Sequence, residues 1–243
     1  MTSSIAVIIL NFKRPQNIGA IVRAAREALP EAAIFILDQG ETDTLRERDD
    51  IPWTEVWLQR AEVNTGAGAR VPLASRLPFD LYIAIDDDVF LTPEQIGLLA
   101  ERLRAEPDRA HGIWGQRLEL DQGQIRFRNS LNGIDASVSI LNEVYAFSQG
   151  QAKAALELSA RLGFASWRDV RVGNDIVLSC ASPKPPLCHD LGPLEHCPTS
   201  GEPGIAVWKS EGFGEQRLDI VRRLLAIQAI AVFTPLAFSG GAT

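Results

Sequence analysis

The segment Leu81–Pro93 constrains the fold most, because it places three carboxylates between a buried strand and a new helix. Leu81–Ile85 is an unbroken apolar run, which is typical of a strand buried on both faces of a parallel sheet. Asp86–Asp88 follow it directly, and Thr92 with Gln95 then forms the capping box of a helix. The acids are therefore predicted to lie in a turn at the carboxyl end of a strand, where open α/β sheets bind their ligands.

The carboxylates of Asp86, Asp87 and Asp88 repel one another, and a cation stabilises such a cluster. Oxygen ligands favour a hard ion such as Mg²⁺, Mn²⁺ or Ca²⁺ over Zn²⁺. A solvated acidic turn is the alternative interpretation. The flanking strand and capped helix favour the metal site.

Composition limits the class of protein. The 243 residues suffice for one large α/β domain, and no repeat or linker divides them, so a single domain over residues 1–243 is predicted. The net charge of −7 argues against a nucleic-acid partner. No signal region or transmembrane segment is predicted from these residues, and the three Cys do not indicate a disulfide framework, so a cytoplasmic setting is expected. The apolar stretch 224–238 is predicted to be a packed amphipathic helix, with weak contact to a membrane surface as the alternative.

The first half of the chain alternates strands and helices, which predicts a parallel α/β sheet. Its predicted strands are Ile5–Asn11, Ala33–Asp38, Glu55–Gln59 and Leu81–Ile85. The second half is predicted to extend the sheet with His111–Arg117, Gln124–Asn129 and Val138–Phe147. Its predicted helices are Ala152–Leu162, Asn174–Ala181 (with Asn174 as N-cap) and Glu215–Phe233. Ser182–Gly204 is rich in Pro and Gly and is interpreted as an ordered loop or a mobile lid.

Polar side chains follow three of the predicted parallel strands and are expected to meet at one edge of the sheet. Asn11 and Arg14 follow the first strand, and Asn64 and Arg70 follow the third. Guanidinium groups suit phosphate oxygens, and amides suit a base and ribose, so a nucleoside diphosphate is a fitting ligand. The alternative is that the arginines are solvated and the asparagines form turns. The Gly-rich loop after Asn64 lacks the third glycine of the dinucleotide fingerprint, and no phosphate-binding P-loop occurs.

Five segments, taken in order, carry a family resemblance: NFKRP, NTGAGAR, YIAIDDD, GNDIVLSC and PGIAVWKSEGFGEQR. They resemble the catalytic domain of exostosin-like nucleotide-sugar glycosyltransferases, a GT-A fold family, over about residues 5–238. Pro235-Leu236 matches a Pro-Leu pair of that family. The resemblance implies a Rossmann-like, mixed and mainly parallel sheet flanked by helices. It also implies a nucleotide-binding half of about residues 1–92 and an acceptor and catalytic half of about residues 93–243.

The resemblance also implies roles for the acids and for the polar residues near them. Asp86 would contact the ribose, Asp88 would bind Mn²⁺ (or Mg²⁺), and Asp87 would support their geometry. The residues that would hold uridine and the phosphates are Asn11, Arg14, Asn64 and Arg70.

Two further segments acquire roles in the same way. Asp175 matches the second acid of an acidic pair beside the anomeric carbon and is the predicted catalytic residue, whereas Asn174 replaces the first acid. Trp208 lies on a loop that closes over the diphosphate. Lys209 follows it where related enzymes often carry a His, and a Lys there could neutralise the leaving diphosphate.

The predicted function is metal-dependent transfer of a hexosyl or N-acetylhexosaminyl group from a UDP-sugar to a glycan or other hydroxyl acceptor, with retention. A sugar nucleotidyltransferase is one alternative, although NFKRPQN lacks the glycines that such an enzyme should carry after its first strand. A catalytically silent nucleotide-sugar or glycan-binding module is the other, and it would not require Asp175.

Two Cys-His pairs, Cys188-His189 and His196-Cys197, could in principle bind zinc. Adjacent side chains rarely point at one metal, and the spacing differs from a zinc knuckle. Ordinary loop packing is therefore the favoured interpretation.

Overall fold

The computed structural model describes residues 3–40, 44–122, 124–202 and 206–232. Within these ranges the strands are β1 (Ile5–Asn11), β2 (Ala33–Asp38), β3 (Val56–Arg60), β4 (Leu81–Ile85), β5 (Val89–Phe90), β6 (His111–Asp121), β7 (Gln124–Asn132), β8 (Ala136–Ser137), β9 (Ile140–Ser148), β10 (Leu187–Cys188) and β11 (Glu195–His196). The α-helices are α1 (Pro15–Ala28), α2 (Arg70–Arg76), α3 (Pro93–Ala105), α4 (Gln149–Arg161), α5 (Asn174–Ser179) and α6 (Phe213–Ala226).

Nine of the described strands form one sheet, in the order β3-β2-β1-β4-β9-β6-β10-β8, with β7 paired to β6. β3, β2, β1 and β4 are parallel, whereas β9 is antiparallel to both β4 and β6. β5 and β11 form a separate two-stranded sheet. The predicted mixed α/β class is confirmed: β3, β2, β1 and β4 pair in parallel, and in the second half β10 pairs in parallel with β6.

The apolar runs of β1 and β4 form the centre of the molecule because both of their faces are covered. Every residue of β1 and β4 is buried. On β1, Ala6, Ile8 and Leu10 belong to one hydrophobic cluster, shared with α2, α4, α5 and α6. The alternate residues of β1 belong to a second cluster, on the opposite face, shared with α1 and α3. Helices therefore flank the sheet on both sides, as unbroken apolar strands require.

Several predicted boundaries differ from the observed ones. The third strand starts one residue later than predicted, and β6 and β7 are longer because they pair as an extended hairpin. The helix of the second half starts at Gln149, where Ser148 and Gln151 form a capping box. The last helix begins at Phe213 and ends at Ala226, so its predicted end at Phe233 is wrong for the described residues. Residues 233–238 and Pro235-Leu236 lie outside the described residues.

The prediction that Asn174 caps α5 is wrong. Gly173 is the N-cap, and the Asn174 amide instead donates to the Arg171 carbonyl at 2.8 Å. A Cβ on Gly173 would lie 2.0 Å from Ile220 Cδ1, so the missing side chain allows α6 to pack directly against the start of α5.

Among the described residues, no helix is long and apolar enough to cross a membrane.

Candidate active site

The DDD turn, residues Asp86–Asp88, lies at the carboxyl end of β4 beside the carboxyl end of β1, as predicted. Its middle residue ties the two strand ends together: Asp87 Oδ2 accepts from the Phe12 amide at 2.9 Å. The Asn17 amide donates to the Asp87 carbonyl at 2.8 Å. Residues that follow β1 therefore hold the turn in place.

Arg14 pairs with the DDD turn and is itself buried. Its Nη1 lies 2.7 Å from Asp87 Oδ1 and 3.3 Å from Asp88 Oδ2. Its Nε and Nη2 donate to the Thr199 hydroxyl and carbonyl, each at 2.9 Å. Arg14 thus joins the turn to the segment 195–201, which also bonds the turn through the Cys197 amide and the Asp88 carbonyl at 2.8 Å. The predicted contact of Arg14 with a diphosphate stays a prediction.

Arg70 holds the first acid of the turn. Its Nη2 lies 2.6 Å from Asp86 Oδ1, and its guanidinium lies over the Tyr145 ring at 4.7 Å from the centroid. Arg70 is 1% exposed, because α2 places it against the sheet. The arginine therefore fixes the orientation of Asp86, and its predicted phosphate contact also stays a prediction.

Two acids of the turn resist ionisation. Burial raises the pKa of Asp86 to about 7; Arg70 opposes this rise, and the charges of Asp88, Glu143 and Asp87 add to it. Burial also raises the pKa of Asp88, with Arg14 opposing and Asp87 reinforcing the change. The turn carries three carboxylates beside two arginines, Arg14 and Arg70, so a bound cation would stabilise the ionised carboxylates.

The donor set fits a hard divalent ion that shares its coordination with a substrate. Among the described residues, no three His, Cys, Asp or Glu side chains are grouped to hold a metal by themselves. Mg²⁺ commonly binds through one or two carboxylates and takes its other ligands from phosphates and water. Asp86 and Asp88 can supply those one or two carboxylates.

Asp175, at the start of α5, forms a buried ion pair with Arg217 on α6. Arg217 also donates to the Val172 carbonyl at 2.9 Å. The pKa of the Tyr145 phenol is raised by burial and then by the charge of Asp175, and Asp86 adds to this rise. The charges of Asp175 and Asp86 thus both raise the pKa of Tyr145, although the two acids are far apart in sequence. The role of Arg217 was not predicted from the sequence, although this residue falls on the apolar face of α6 with Ile220, Val221 and Leu224, where a charged residue needs a partner.

Asn11 and its neighbour Asp38 lie at the carboxyl ends of β1 and β2. The Asn11 amide donates to Asp38 Oδ1 at 2.7 Å. Asn11 Oδ1 and Asp38 Oδ2 are both buried and accept no hydrogen bond from a described residue. Such acceptors are costly to bury unpaired, so they suit a ligand that carries N–H or O–H donors.

Asn64 is exposed and shapes the Gly-rich loop, since its Oδ1 accepts from the Gly66 amide at 2.8 Å. The same loop packs on the segment before α5. Trp167 Nε1 donates to the Gly68 carbonyl at 2.7 Å, and a Cβ on Gly68 would lie 2.9 Å from Asn174 Cβ. The loop and the Asp175 segment are therefore in direct contact.

Trp208 and Lys209 lie on the surface. Trp208 is 59% exposed, and the Lys209 ammonium lies 4.9 Å from its ring centroid. Lys209 also donates to the Gly201 carbonyl, at the end of the segment that Arg14 binds. Neither side chain contacts the DDD turn in the described part of the chain, so their predicted roles stay predictions.

The two Cys-His pairs make separate contacts. Cys188 Sγ donates to the Leu131 carbonyl at 3.0 Å, and His189 bonds the ring of His111 at 2.9 Å. His196 bonds Glu143, and Cys197 contacts the Thr199 hydroxyl. The hydrogen bond between His196 and Glu143 was not predicted from the sequence either.

Comparisons with known proteins bear on the fold. No protein-family model matches this sequence, and no characterised protein matches it in sequence. Among solved structures, it is similar to GalNAc-T7, a GT-A fold glycosyltransferase crystallised with UDP, GalNAc and Mn²⁺. The TM-score is 0.56 and the identity 13%; the match covers 92% of this chain and 48% of that one. The chain has a GT-A-like fold. It spans about half the length of the solved GalNAc-T7 chain (48%).

Proposed function

We propose that this chain is a metal-dependent glycosyltransferase that transfers a sugar from a UDP-sugar to a hydroxyl group, such as that of a glycan. The observation that carries the proposal is the DDD turn, in which three consecutive carboxylates are held by the buried side chains of Arg14 and Arg70. It lies at the carboxyl edge of a GT-A-like sheet. The crystallisation of GalNAc-T7 with UDP, GalNAc and Mn²⁺ supports this choice of ligands.

The proposed donor site uses the edge formed by β1, β2 and β4. One of the unpaired acceptor atoms of Asn11 and Asp38 would accept from the single N–H donor of the uracil base, and Asn64 would add contacts to uridine. Asp86 would accept from the ribose hydroxyls. Arg14 and Arg70 would hold the turn in place and contribute positive charge near the diphosphate.

Asp88 would bind Mn²⁺ (or Mg²⁺), and Asp87 would keep the turn in shape through Arg14 and the Phe12 amide. When bound, the metal would stabilise the negative charge that develops on the departing diphosphate. Trp208 and Lys209 would cover the diphosphate from the surface loop, where the Lys209 cation would add to that stabilisation.

Asp175 is the proposed catalytic residue. Its carboxylate would stabilise the positive charge that develops at the anomeric carbon as the bond to UDP breaks. Arg217 would position it, since the buried ion pair fixes the carboxylate without exposing it to solvent. We further propose retention of configuration and membership of the exostosin-like family, both from the sequence resemblance. The transferred group would be a hexosyl or N-acetylhexosaminyl unit.

The proposed chain organisation is a single domain, with a nucleotide-binding half of about residues 1–92 and an acceptor half of about residues 93–243.

The direct test of the proposed function is a panel of UDP-sugars with Mn²⁺, in which release of UDP is measured with and without simple glycosides as acceptors. Release with formation of a new glycoside would support the proposal. Tight binding of UDP without any turnover would instead indicate a silent binding module. Synthesis of a UDP-sugar from UTP and a sugar phosphate would indicate a nucleotidyltransferase.

A further inference from the structure

Glu143 on β9 and His196 on β11 form a hydrogen-bonded carboxylate–imidazole pair, with Glu143 Oε2 2.7 Å from His196 Nε2. Glu143 has a φ of 61°, a left-handed backbone conformation that residues other than glycine rarely adopt. A residue held this way inside a strand is often part of a functional site. The conformation occurs where the pairing of β9 with β6 shifts register between Gly112 and Trp114.

The backbone anchors this pair to the DDD turn on both sides. His196 is paired with Val89, the residue after Asp88, in the ladder of β11 and β5. The Glu143 carbonyl accepts from Arg70 Nη1 at 3.2 Å, and Arg70 also holds Asp86. The Glu143–His196 pair is therefore adjacent to the acids that are proposed to bind the metal and the UDP-sugar.

The pair is also accessible. The His196 side chain is 25% exposed and that of Glu143 32%. The Trp114 ring meets the imidazole edge-on, with the centroids 5.6 Å apart, and gives this position an apolar wall. No described residue forms a hydrogen bond with His196 Nδ1. Because Nε2 is engaged by the carboxylate, Nδ1 is the nitrogen left to meet a substrate.

Sugar transfer requires that the attacking hydroxyl lose its proton. A carboxylate that fixes an imidazole through one nitrogen, while the other meets a hydroxyl, is a recurrent arrangement for removing such a proton. We propose that His196 Nδ1 accepts the proton of the acceptor hydroxyl and that Glu143 is its positioning residue. This inference rests on the proposed glycosyltransferase function.

The O–H bond of the acceptor breaks, and its proton binds His196 Nδ1. The oxygen forms a bond to the anomeric carbon with the released electron pair, on the face from which UDP departs, so that the configuration is retained as proposed. The bond from that carbon to UDP breaks, and its electron pair leaves on the diphosphate. The proton passes from the imidazole to solvent after the products depart.

The test uses the chain of residues 1–243, Mn²⁺ and a UDP-sugar that the wild type cleaves, with water as the acceptor hydroxyl. His196→Ala should lower UDP release by about 100-fold or more, which is the usual contribution of a positioned general base. Its affinity for UDP with Mn²⁺ should stay within about threefold of wild type, since the metal and donor residues remain. Added imidazole should restore much of the lost rate, because it can enter the space left by the ring. A residue that only supports the structure would not be replaced in this way.

Two more variants complete the test. His196→Asn keeps a donor for Glu143 and should remain inactive, because an amide does not accept the proton. Glu143→Gln should lower the rate by about 10–100-fold, as losses of orienting carboxylates do. Asp135→Asn is the matched control: it alters the other carboxylate–imidazole pair, Asp135 with His189, and should keep the wild-type rate.

Near-normal UDP release by His196→Asn would overturn the base assignment alone, with the glycosyltransferase function intact. Loss of activity in His196→Ala that imidazole does not relieve, together with loss of UDP binding, would also overturn it in favour of a structural role. If the wild type neither binds UDP with Mn²⁺ nor cleaves any UDP-sugar, the proposed function fails and this inference fails with it.

Discussion

Arg217 Nη1 contacts both carboxylate oxygens of Asp175, at 2.8 Å from Oδ1 and 2.7 Å from Oδ2. Both side chains are about nine-tenths buried, with 9% of Arg217 and 11% of Asp175 exposed. The arginine comes from α6 and the acid from α5, so the pair joins two helices that are 42 residues apart in sequence. The proposed catalytic carboxylate is thus held by an arginine that lies far along the chain.

Asp175→Asn nearly preserves the shape of the side chain and removes its charge. We expect the affinity for UDP with Mn²⁺ to stay within a fewfold of wild type, because Asp175 is not among the residues proposed to bind UDP or the metal. Turnover of the UDP-sugar should fall by about 100-fold or more, the usual loss when one charge-stabilising group is removed. Steady-state kinetics and binding calorimetry measure the two quantities. Near-normal turnover by this variant would remove Asp175 from the mechanism.

Arg217→Met leaves the buried Asp175 carboxylate without its counter-charge. Breaking such a pair typically lowers the free energy of unfolding by about 3–5 kcal/mol. Asp219→Asn is the control on the same helix, since it breaks an exposed ion pair with Arg223 and should cost at most about 1 kcal/mol. Urea unfolding measures both. Equal, small losses in the two variants would contradict the buried pairing of Arg217 with Asp175.

His111 and His189 give the fold a predicted pH dependence. Their rings are hydrogen-bonded at 2.9 Å, and burial lowers the pKa of both below the usual 6.5. As the pH falls below 6.5, the unfolded chain takes up protons that the folded pair resists, so the contribution of the pair to stability is lost. Asp86, with its raised pKa, changes stability in the opposite direction over part of this range.

The comparison of wild type with the double variant His111→Asn, His189→Asn isolates this effect, because Asp86 is present in both. The unfolding free energy of the wild type should fall more steeply between pH 7 and pH 5, the region that surrounds the ordinary histidine pKa of about 6.5. Parallel pH profiles of the two proteins would show that the pair does not titrate differently on folding.

The local features of the fold were predictable from the sequence. Leu81–Ile85 is buried throughout, as its unbroken apolar run predicts. Thr92 and Gln95 form the predicted capping box, with Thr92 Oγ1 accepting from the Gln95 amide at 3.3 Å. Both features depend on residues close together in sequence, so the pattern itself determines them.

The surroundings of the acids were not predictable in the same way. Arg14 and Asp87 are 73 residues apart, and nothing near either residue marks the arginine as buried. The left-handed conformation of Glu143 follows from a register shift between strands, which only their pairing determines. His196 likewise meets Glu143 only because β11 pairs with β5 beside the DDD turn. Long-range pairing decides these positions.

The central claim is that a divalent metal joins the DDD turn to a UDP-type ligand. The measurement is the thermal stability of the protein with UDP, in Mn²⁺ and in chelator, for wild type and Asp88→Ala. With Mn²⁺, UDP at a hundredfold above its dissociation constant should stabilise the wild type by about 2.7 kcal/mol. In chelator, and in Asp88→Ala under either condition, the gain should vanish because the remaining carboxylates repel the diphosphate. Equal stabilisation by UDP with and without the metal would contradict the claim.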